Sequence, residues 1–278
     1  MPELPEVETI KNDLRPVLEG ARFTGVSISW PRMVLQPSVD ELCRRLPGHV
    51  IREIARRGKY LIFRLDCGES LVLHLRMTGS LLLRSRNDAH SEPVPYVTAV
   101  FGLDNGIELV FSDRRKFGTM SLLQDESELA AKLGPEPLSR SFTVEDLRSS
   151  LSRRKAPVKA VLCDQKFLAG IGNMYADEAL FLAGIHPLRL ASSLSQEEVV
   201  RLHKAIRRVL KTGIRNAGAS ISDYRRPGGQ RGTQQLSFNV AHRGGQTCKV
   251  CATPIERLPV RNRGSYFCPR CQSAATCS

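Results

Sequence analysis

The sequence predicts an α+β protein: a β-sandwich led by one helix, then a helical segment that ends in a metal-held hairpin. Three observations carry this. Short apolar or alternating runs fill residues 20–124, helical periodicity takes over from Thr143, and two Cys-x₂-Cys pairs stand at 248–271. Strands that come in one run and helices in another segregate into separate layers.

The leading helix comes first. Pro5 suits a first helical position, and Glu6 and Glu8 favour the positive end of the helix dipole. Val7, Ile10, Leu14 and Val17 recur at spacings of three and four, so one face is apolar. Ahead of it lies Met1-Pro2-Glu3. Pro2 is small enough that Met1 is expected to be trimmed, which leaves a free secondary amine. A terminal amine has a pKa of roughly 7.7–8, so an appreciable fraction is unprotonated near neutral pH. Such an amine can attack a carbonyl-like carbon and form an imine. Glu3 adds a carboxyl group that can move protons. A frayed start to an ordinary helix fits these residues too, and on them alone is the simpler reading.

Strands follow. Val26–Trp30, Tyr60–Leu65 and Leu71–Leu75 are short apolar or alternating runs, and Thr98–Leu103 and Ile107–Phe111 flank Asp104-Asn105-Gly106, a hairpin signal. Leu133-Gly-Pro-Glu-Pro-Leu138 breaks the pattern as a linker. Thr143 with Asp146, and Ser195 with Glu198, read as capping boxes. After Ser195, Val199, Leu202, Ile206, Val209 and Leu210 share a face. Arg201, Lys204, Arg207, Arg208 and Lys211 lie elsewhere, on surface open to solvent or to DNA. Residues 217–235 have no period, and so long a loop is either disordered or a functional lid. The predicted boundaries are 1–132 for the sandwich, 133–141 for the linker, 142–236 for the helices with the 217–235 loop, and 237–278 for the hairpin.

The 278 residues suffice for two domains with sizeable cores, and 41% hydrophobic with 25% charged residues is a soluble composition. No apolar run approaches a membrane span, and the acidic start lacks a signal-peptide pattern. A cytoplasmic protein is expected, associated with the chromosome when bound to DNA. Residues 1–141 hold 19 Lys and Arg against 19 Asp and Glu, so the whole formal charge of +13 falls in residues 142–278. That asymmetry points to a polyanion bound mainly by the second half.

Of eight cysteines, Cys43, Cys67 and Cys163 stand among apolar neighbours and are expected to be buried thiols. Cys248, Cys251, Cys268 and Cys271 have the spacing of a tetrahedral zinc site. Four thiolates close the site to substrate, so this one Zn²⁺ is structural and holds a hairpin too small to fold alone. Arg257, Arg261, Arg263 and Arg270 make that hairpin a candidate for clamping phosphates. Phe167–Met174 joins two helices through Gly170 and Gly172, with Asn173 placed to cap the second and Lys159 and Lys166 nearby. Amides at such a start can bind phosphate. Arg56-Arg57-Gly58-Lys59 and Asp113-Arg-Arg-Lys-Phe117 are basic clusters in a neutral half. Phe117 and Met77 can wedge between bases or point into the core.

Together these motifs resemble bacterial formamidopyrimidine-DNA glycosylases, the family that includes endonuclease eight. The likeness runs from Pro2 to Cys271 through Pro2–Glu8, Gly58-Lys-Tyr60, His74–Gly79, Asp113–Gly118, Leu133–Leu138, Gly170–Asn173 and the four cysteines. Leu4-Pro5 after Glu3 points to the oxidised-purine branch. The resemblance implies a helix-two-turns-helix domain after the sandwich and a monomeric enzyme acting on double-stranded DNA with oxidised bases. It implies Pro2 as the nucleophile on the sugar C1′ and Glu3 as the acid for the ring oxygen. Lys59 would act in β-elimination, and Arg263 in δ-elimination and phosphate binding. Met77, Arg115 and Phe117 would fill the gap left by the flipped base. Lys159, Asn173 and Arg154 would hold the backbone, and the 217–235 loop would cover the everted base. Where many relatives carry a DNA-contacting histidine, this chain has Pro95-Tyr96, so an altered phosphate contact through Tyr96 is expected.

Two other classes share parts of this pattern. A catalytically silent zinc-finger damage-binding protein needs everything except Pro2, Glu3 and Lys59. A zinc deaminase needs His-x-Glu and Pro-Cys-x-x-Cys; His90-Ser-Glu92 fits the first, but Phe267 precedes Cys268.

Overall fold

A computed structural model gives the fold, and it describes residues 1–86 and 93–273. His90-Ser91-Glu92 and Cys277 lie outside the described residues. The chain divides into two compact units, Met1–Ala130 with Asn216–Gln235, and Ala131–Arg215 with Leu236–Ser278.

The first unit opens with α1 (Leu4–Leu18), whose Val7, Ile10, Leu14 and Leu18 are all buried. It continues through β1 (Phe23–Ile28), β2 (Val34–Gln36), α2 (Val39–Arg45), β3 (Ile51–Arg57), β4 (Tyr60–Leu65) and β5 (Ser70–His74). Then come β6 (Gly79–Ser85), β7 (Val97–Leu103), β8 (Ile107–Asp113), β9 (Thr119–Leu123) and α3 (Ser127–Ala131). One sheet runs β1-β7-β8-β6 and the other β2-β9-β5-β4-β3, antiparallel except for the β2–β9 pair. Side chains two apart point the same way along a strand. Leu61, Phe63 and Leu65 of β4 therefore meet Ala99, Phe101 and Leu103 of β7 in one core that α1 also joins. This is the expected sandwich. Gly106, at φ +79°, closes the expected β7–β8 hairpin.

Four strands escaped the sequence pattern, and β3 shows why. A register shift between Ile51 and Glu53 puts its buried residues, Ile51 and Ile54, three apart. An extra residue in an edge strand erases the two-residue period.

The second unit holds α4 (Val144–Ser152), α5 (Val158–Leu162), α6 (Asn173–Ala183), α7 (Gln196–Arg215), β10 (Glu256–Val260) and β11 (Arg263–Phe267). Both predicted capping boxes form. Thr143 Oγ1 accepts from Asp146 N at 3.1 Å while Thr143 N donates back at 2.8 Å, and Ser195 and Glu198 exchange bonds of 3.3 and 2.8 Å. On α7, Val199, Leu202, Ile206, Val209 and Leu210 are buried as expected. Arg207 turns inward and donates to the carbonyls of Pro137, Leu138 and Ser139.

Residues 217–235, grouped with the helices in the sequence reading, belong by contact to the first unit. Non-local bonds explain this: Leu83 N donates to Pro227 O at 2.8 Å, and Arg226 makes a two-bond pair with Asp13 at 2.7 and 2.8 Å. Among the described residues no helix is long and apolar enough to cross a membrane.

Candidate active site and nucleic-acid interface

Pro2 and Glu3 are buried at the head of α1. Glu3 is the N-cap residue, and its backbone N–H donates to Glu6 Oε2 at 2.8 Å. Two further bonds set the helix direction. Glu8 Oε2 accepts from Arg56 at 2.7 Å, and Glu19 Oε1 accepts from Ile54 N at 2.8 Å. As α1 runs from 8 to 19, β3 therefore runs from 56 back to 54. The head of α1 lies toward the β3–β4 turn, which carries Lys59. Lys59 is only 4% exposed.

His74 stands beside that turn. The register pairs it with Tyr60, whose ring lies 4.5 Å away edge-on. Burial, then the charges of Arg76 and Lys59, push its imidazole down to about 3. Its Nδ1 accepts from Arg76 N at 2.9 Å, so a neutral ring fixes the backbone before Met77.

Glu6 is the residue that sequence reasoning undervalued. It is buried, and its two oxygens accept from two separate segments: Oε2 from Glu3 N, and Oε1 from Ala219 N at 2.8 Å. Gly218, at φ +76°, permits the approach, because a Cβ there would sit 2.8 Å from Glu6 Cγ. Tyr224 O–H donates to Ala217 O at 3.2 Å. Burial, then the charges of Glu6 and Asp13, raise the Tyr224 phenol and keep it protonated. The available signal was a carboxylate three residues after the N-cap.

Met77, Tyr96, Arg115 and Phe117 gather at one end of the four-stranded sheet. Gly79 pairs with Asp113, and Val97 with Ser112, which puts the starts of β6 and β7 beside the end of β8. Met77 is 42% exposed, Tyr96 59% and Phe117 51%, so Met77 and Phe117 face out of the core. Asp113 builds the turn that presents them. Its buried carboxylate accepts from the Thr78 hydroxyl, from Arg115 N at 3.2 Å and from Gly118 N at 2.6 Å. The Arg115 guanidinium stacks 4.6 Å from the Phe117 ring. Beside them a cavity of about 320 Å³ is lined by Thr78, Ser80, Tyr96, Arg114, Asp223 and Arg225.

In the second unit the N-cap of α6 is Gly172, and Asn173 is the first helical residue. Asn173 does not cap as expected; its Nδ2 donates to Gly264 O on β11 at 2.9 Å. Lys159, expected to hold the DNA backbone, is 1% exposed. Its ammonium lies 2.5 Å from Asp177 Oδ1 and 3.4 Å from Gly264 O. A buried lysine needs such a partner, because an unpaired charge there is costly. Asp177 Oδ2 in turn accepts from Tyr266 N at 3.1 Å. Arg263 starts β11, exposed, just past a two-residue turn in which Arg261 and Asn262 both take positive φ. Arg154 is exposed, with its guanidinium 5.9 Å over the Phe167 ring.

The four cysteines converge. Sγ–Sγ separations are 3.9 Å for Cys248–Cys271, 3.4 Å for Cys251–Cys268 and 3.5 Å for Cys251–Cys271. Sulfurs at about 2.3 Å from one tetrahedral zinc stand roughly 3.8 Å apart, so the donor set fits one structural Zn²⁺. Phe181 of α6, Val240 and Ile255 pack around it. The other thiols differ from expectation: Cys43 and Cys163 are half-buried and Cys67 is exposed. Cys67 sits in the β4–β5 turn, where its neighbours Asp66 and Gly68 stay at the surface.

Family models match in order along the chain: the formamidopyrimidine-DNA glycosylase N-terminal domain at residues 1–120, its H2TH domain at 133–225, and the zinc finger found in FPG and IleRS at 245–274. The formamidopyrimidine-DNA glycosylase of Chloroflexus aurantiacus is 46% identical over 275 residues, covering 98% of each chain. That of Herpetosiphon aurantiacus is 43% identical, covering 98% of this chain and all of the other. The Lactococcus lactis Fpg solved with DNA containing an abasic site superposes at a TM-score of 0.91 with 34% identity, over 98% of this chain and 100% of that one. The same protein with Fapy-dG DNA gives 0.89. Matched from end to end and in every part, this chain belongs to the formamidopyrimidine-DNA glycosylase family.

Proposed function

We propose that the chain is a monomeric, bifunctional DNA glycosylase and abasic-site lyase of base excision repair. Its substrates are oxidised purines, 8-oxoguanine and formamidopyrimidines, in duplex DNA. A sugar carbon inside a stacked duplex is out of reach, so the damaged nucleotide is flipped out at a cost of a few kcal/mol. Met77 and Phe117 fill the space it leaves, Arg115 reads the opposite cytosine, and Tyr96 contacts a phosphate. Arg154 and Asn173 hold the backbone. Lys159 serves that grip through its bond to the hairpin. The 217–235 loop covers the everted base.

Once Met1 is removed, the Pro2 amine attacks C1′. The glycosidic bond breaks, the base leaves with the bonding pair and takes up a proton, and Glu3 protonates the ring oxygen so that the C1′–O4′ bond opens and leaves an iminium ion on the Pro2 nitrogen. Lys59 assists β-elimination and Arg263 the following δ-elimination, which frees the sugar remnant. Zinc holds the hairpin and touches none of the reacting atoms. The enzyme works in the cytoplasm and on the nucleoid.

The observation that carries this reading is the buried Pro2-Glu3 terminus directed toward the Lys59 turn. A silent damage-binding protein has no use for it. Incision of duplexes carrying 8-oxoguanine opposite each of the four bases is the test. Base release and strand cleavage opposite cytosine are expected; binding without either would establish the silent alternative.

A further inference from the structure

Among the described residues, two groups of His, Cys, Asp or Glu side chains bring their ligand atoms within 4.8 Å of one another. One is the four-cysteine cluster. The other is His49, Asp66 and Cys67, in the first unit and outside every role assigned above. We propose that these three residues form a second metal site, for a borderline divalent transition ion such as Zn²⁺.

The ligand chemistry sets the class of ion. One imidazole, one carboxylate and one thiolate suit Zn²⁺ and its neighbours, whereas Ca²⁺ and Mg²⁺ take oxygen donors. His49 Nδ1 already stands 3.0 Å from Asp66 Oδ1. Nitrogen and oxygen ligands of one tetrahedral zinc lie about 3.3 Å apart, so the pair needs little movement. Three protein ligands leave one position open to water. Near the thiol, Glu69 Oε2 lies 4.0 Å from Cys67 Sγ, while the other Glu69 oxygen bonds Arg45.

The backbone that carries the ligands is fixed beforehand. His49 lies between α2 and β3, and Asp66 and Cys67 lie in the β4–β5 turn. The two segments are stitched by Asp66 N to Val50 O at 3.0 Å, and His49 O accepts from Phe23 N at 3.0 Å. Leu65 N to Glu69 O at 2.8 Å closes the turn, with Gly68 at φ +87°. Only side-chain rotation remains. Binding replaces the His49–Asp66 hydrogen bond and exchanges the Cys67 thiol proton for the ion. The site is partly exposed and open, so its metal exchanges, unlike the closed four-thiolate zinc.

The test uses the intact zinc-loaded protein and added Zn²⁺ alone. Iodoacetamide labelling of Cys67 and Cys43 is mapped by mass spectrometry with and without the ion. Zn²⁺ is expected to suppress labelling of Cys67 on the order of tenfold, given thiolate ligation, and to leave Cys43 unchanged. His49→Ala and Asp66→Asn should each restore it, and DNA incision should be unaffected by either substitution. Bound zinc should rise from one to two per chain in the wild type and stay at one in Cys67→Ser. Labelling of Cys67 that ignores Zn²⁺, or protection that survives His49→Ala, would overturn the proposal; the wild-type arm decides even if a variant folds poorly.

Discussion

One buried carboxylate at the head of α1 serves two backbone N–H groups, from Glu3 and from Ala219. Both partners are donors, so a carboxylate suits the position and an amide does not. Glu6→Gln would leave one N–H facing an NH₂ group, at a cost of about 1–3 kcal/mol. Excision of 8-oxoguanine should fall about 5- to 150-fold by that energy. Cleavage at a preformed abasic site should fall less, because no base is there for the loop to cover. Single-turnover rates on the two duplexes check this; equal losses would confine Glu6 to holding the N-terminus. His74 makes a pH prediction. Its folded value, about 3, lies well below the ordinary 6.5, so the unfolded chain binds a proton that the folded chain refuses. Its contribution is therefore complete above pH 6.5 and is lost as pH falls toward 3, about 2 kcal/mol of it by pH 5. Urea unfolding from pH 7 to 5 measures the loss, and His74→Gln should flatten the slope. Residue roles were unevenly legible. The zinc ligands follow from spacing alone, whereas the exposure of Met77 and Phe117 depends on the Gly79–Asp113 register, which no local pattern encodes. Lys159 and Lys166 look alike in sequence; Lys159 turns inward to Asp177 and the Gly264 carbonyl, partners that no local pattern shows.

Among the elements, the zinc hairpin is the most dependent on a single interaction. Its two five-residue strands form a sheet of their own, and a lone two-stranded hairpin is marginal in water. Zinc ligation replaces the missing core, and bonds from Asn173, Lys159 and Asp177 attach β11 to α6 and α5. Chelation of the metal should disorder residues 245–273 and abolish binding to lesion DNA, while α1 and the sandwich keep their fold. Circular dichroism with a DNA-binding titration checks both halves, and full damage-specific binding by zinc-free protein would contradict the structural role. Capped and strongly periodic elements such as α4 and α7 were readable because their signals are local. The 216–235 segment was not. Its partners, Glu6, Asp13 and Leu83, lie more than a hundred residues away in the chain.

Over the whole molecule, the residues proposed for the site are divided between the two units. The first unit carries Pro2, Glu3, Lys59 and the exposed Met77, Tyr96, Arg115 and Phe117. The second carries Arg154, Asn173, Arg263 and the zinc cysteines. All of the formal +13 lies past residue 141, but Arg225, Arg226 and Arg231 of that stretch belong to the first unit, so the charge boundary is not the boundary between the units. The central claim is that a proline amine does the chemistry, and borohydride trapping on an 8-oxoguanine duplex tests it most directly. Mass spectrometry of the trapped complex should find Met1 absent and the sugar remnant on the Pro2 nitrogen, with base release largely removed in Pro2→Gly. An adduct on Lys59, or an enzyme that incises fully with Met1 in place, would contradict it.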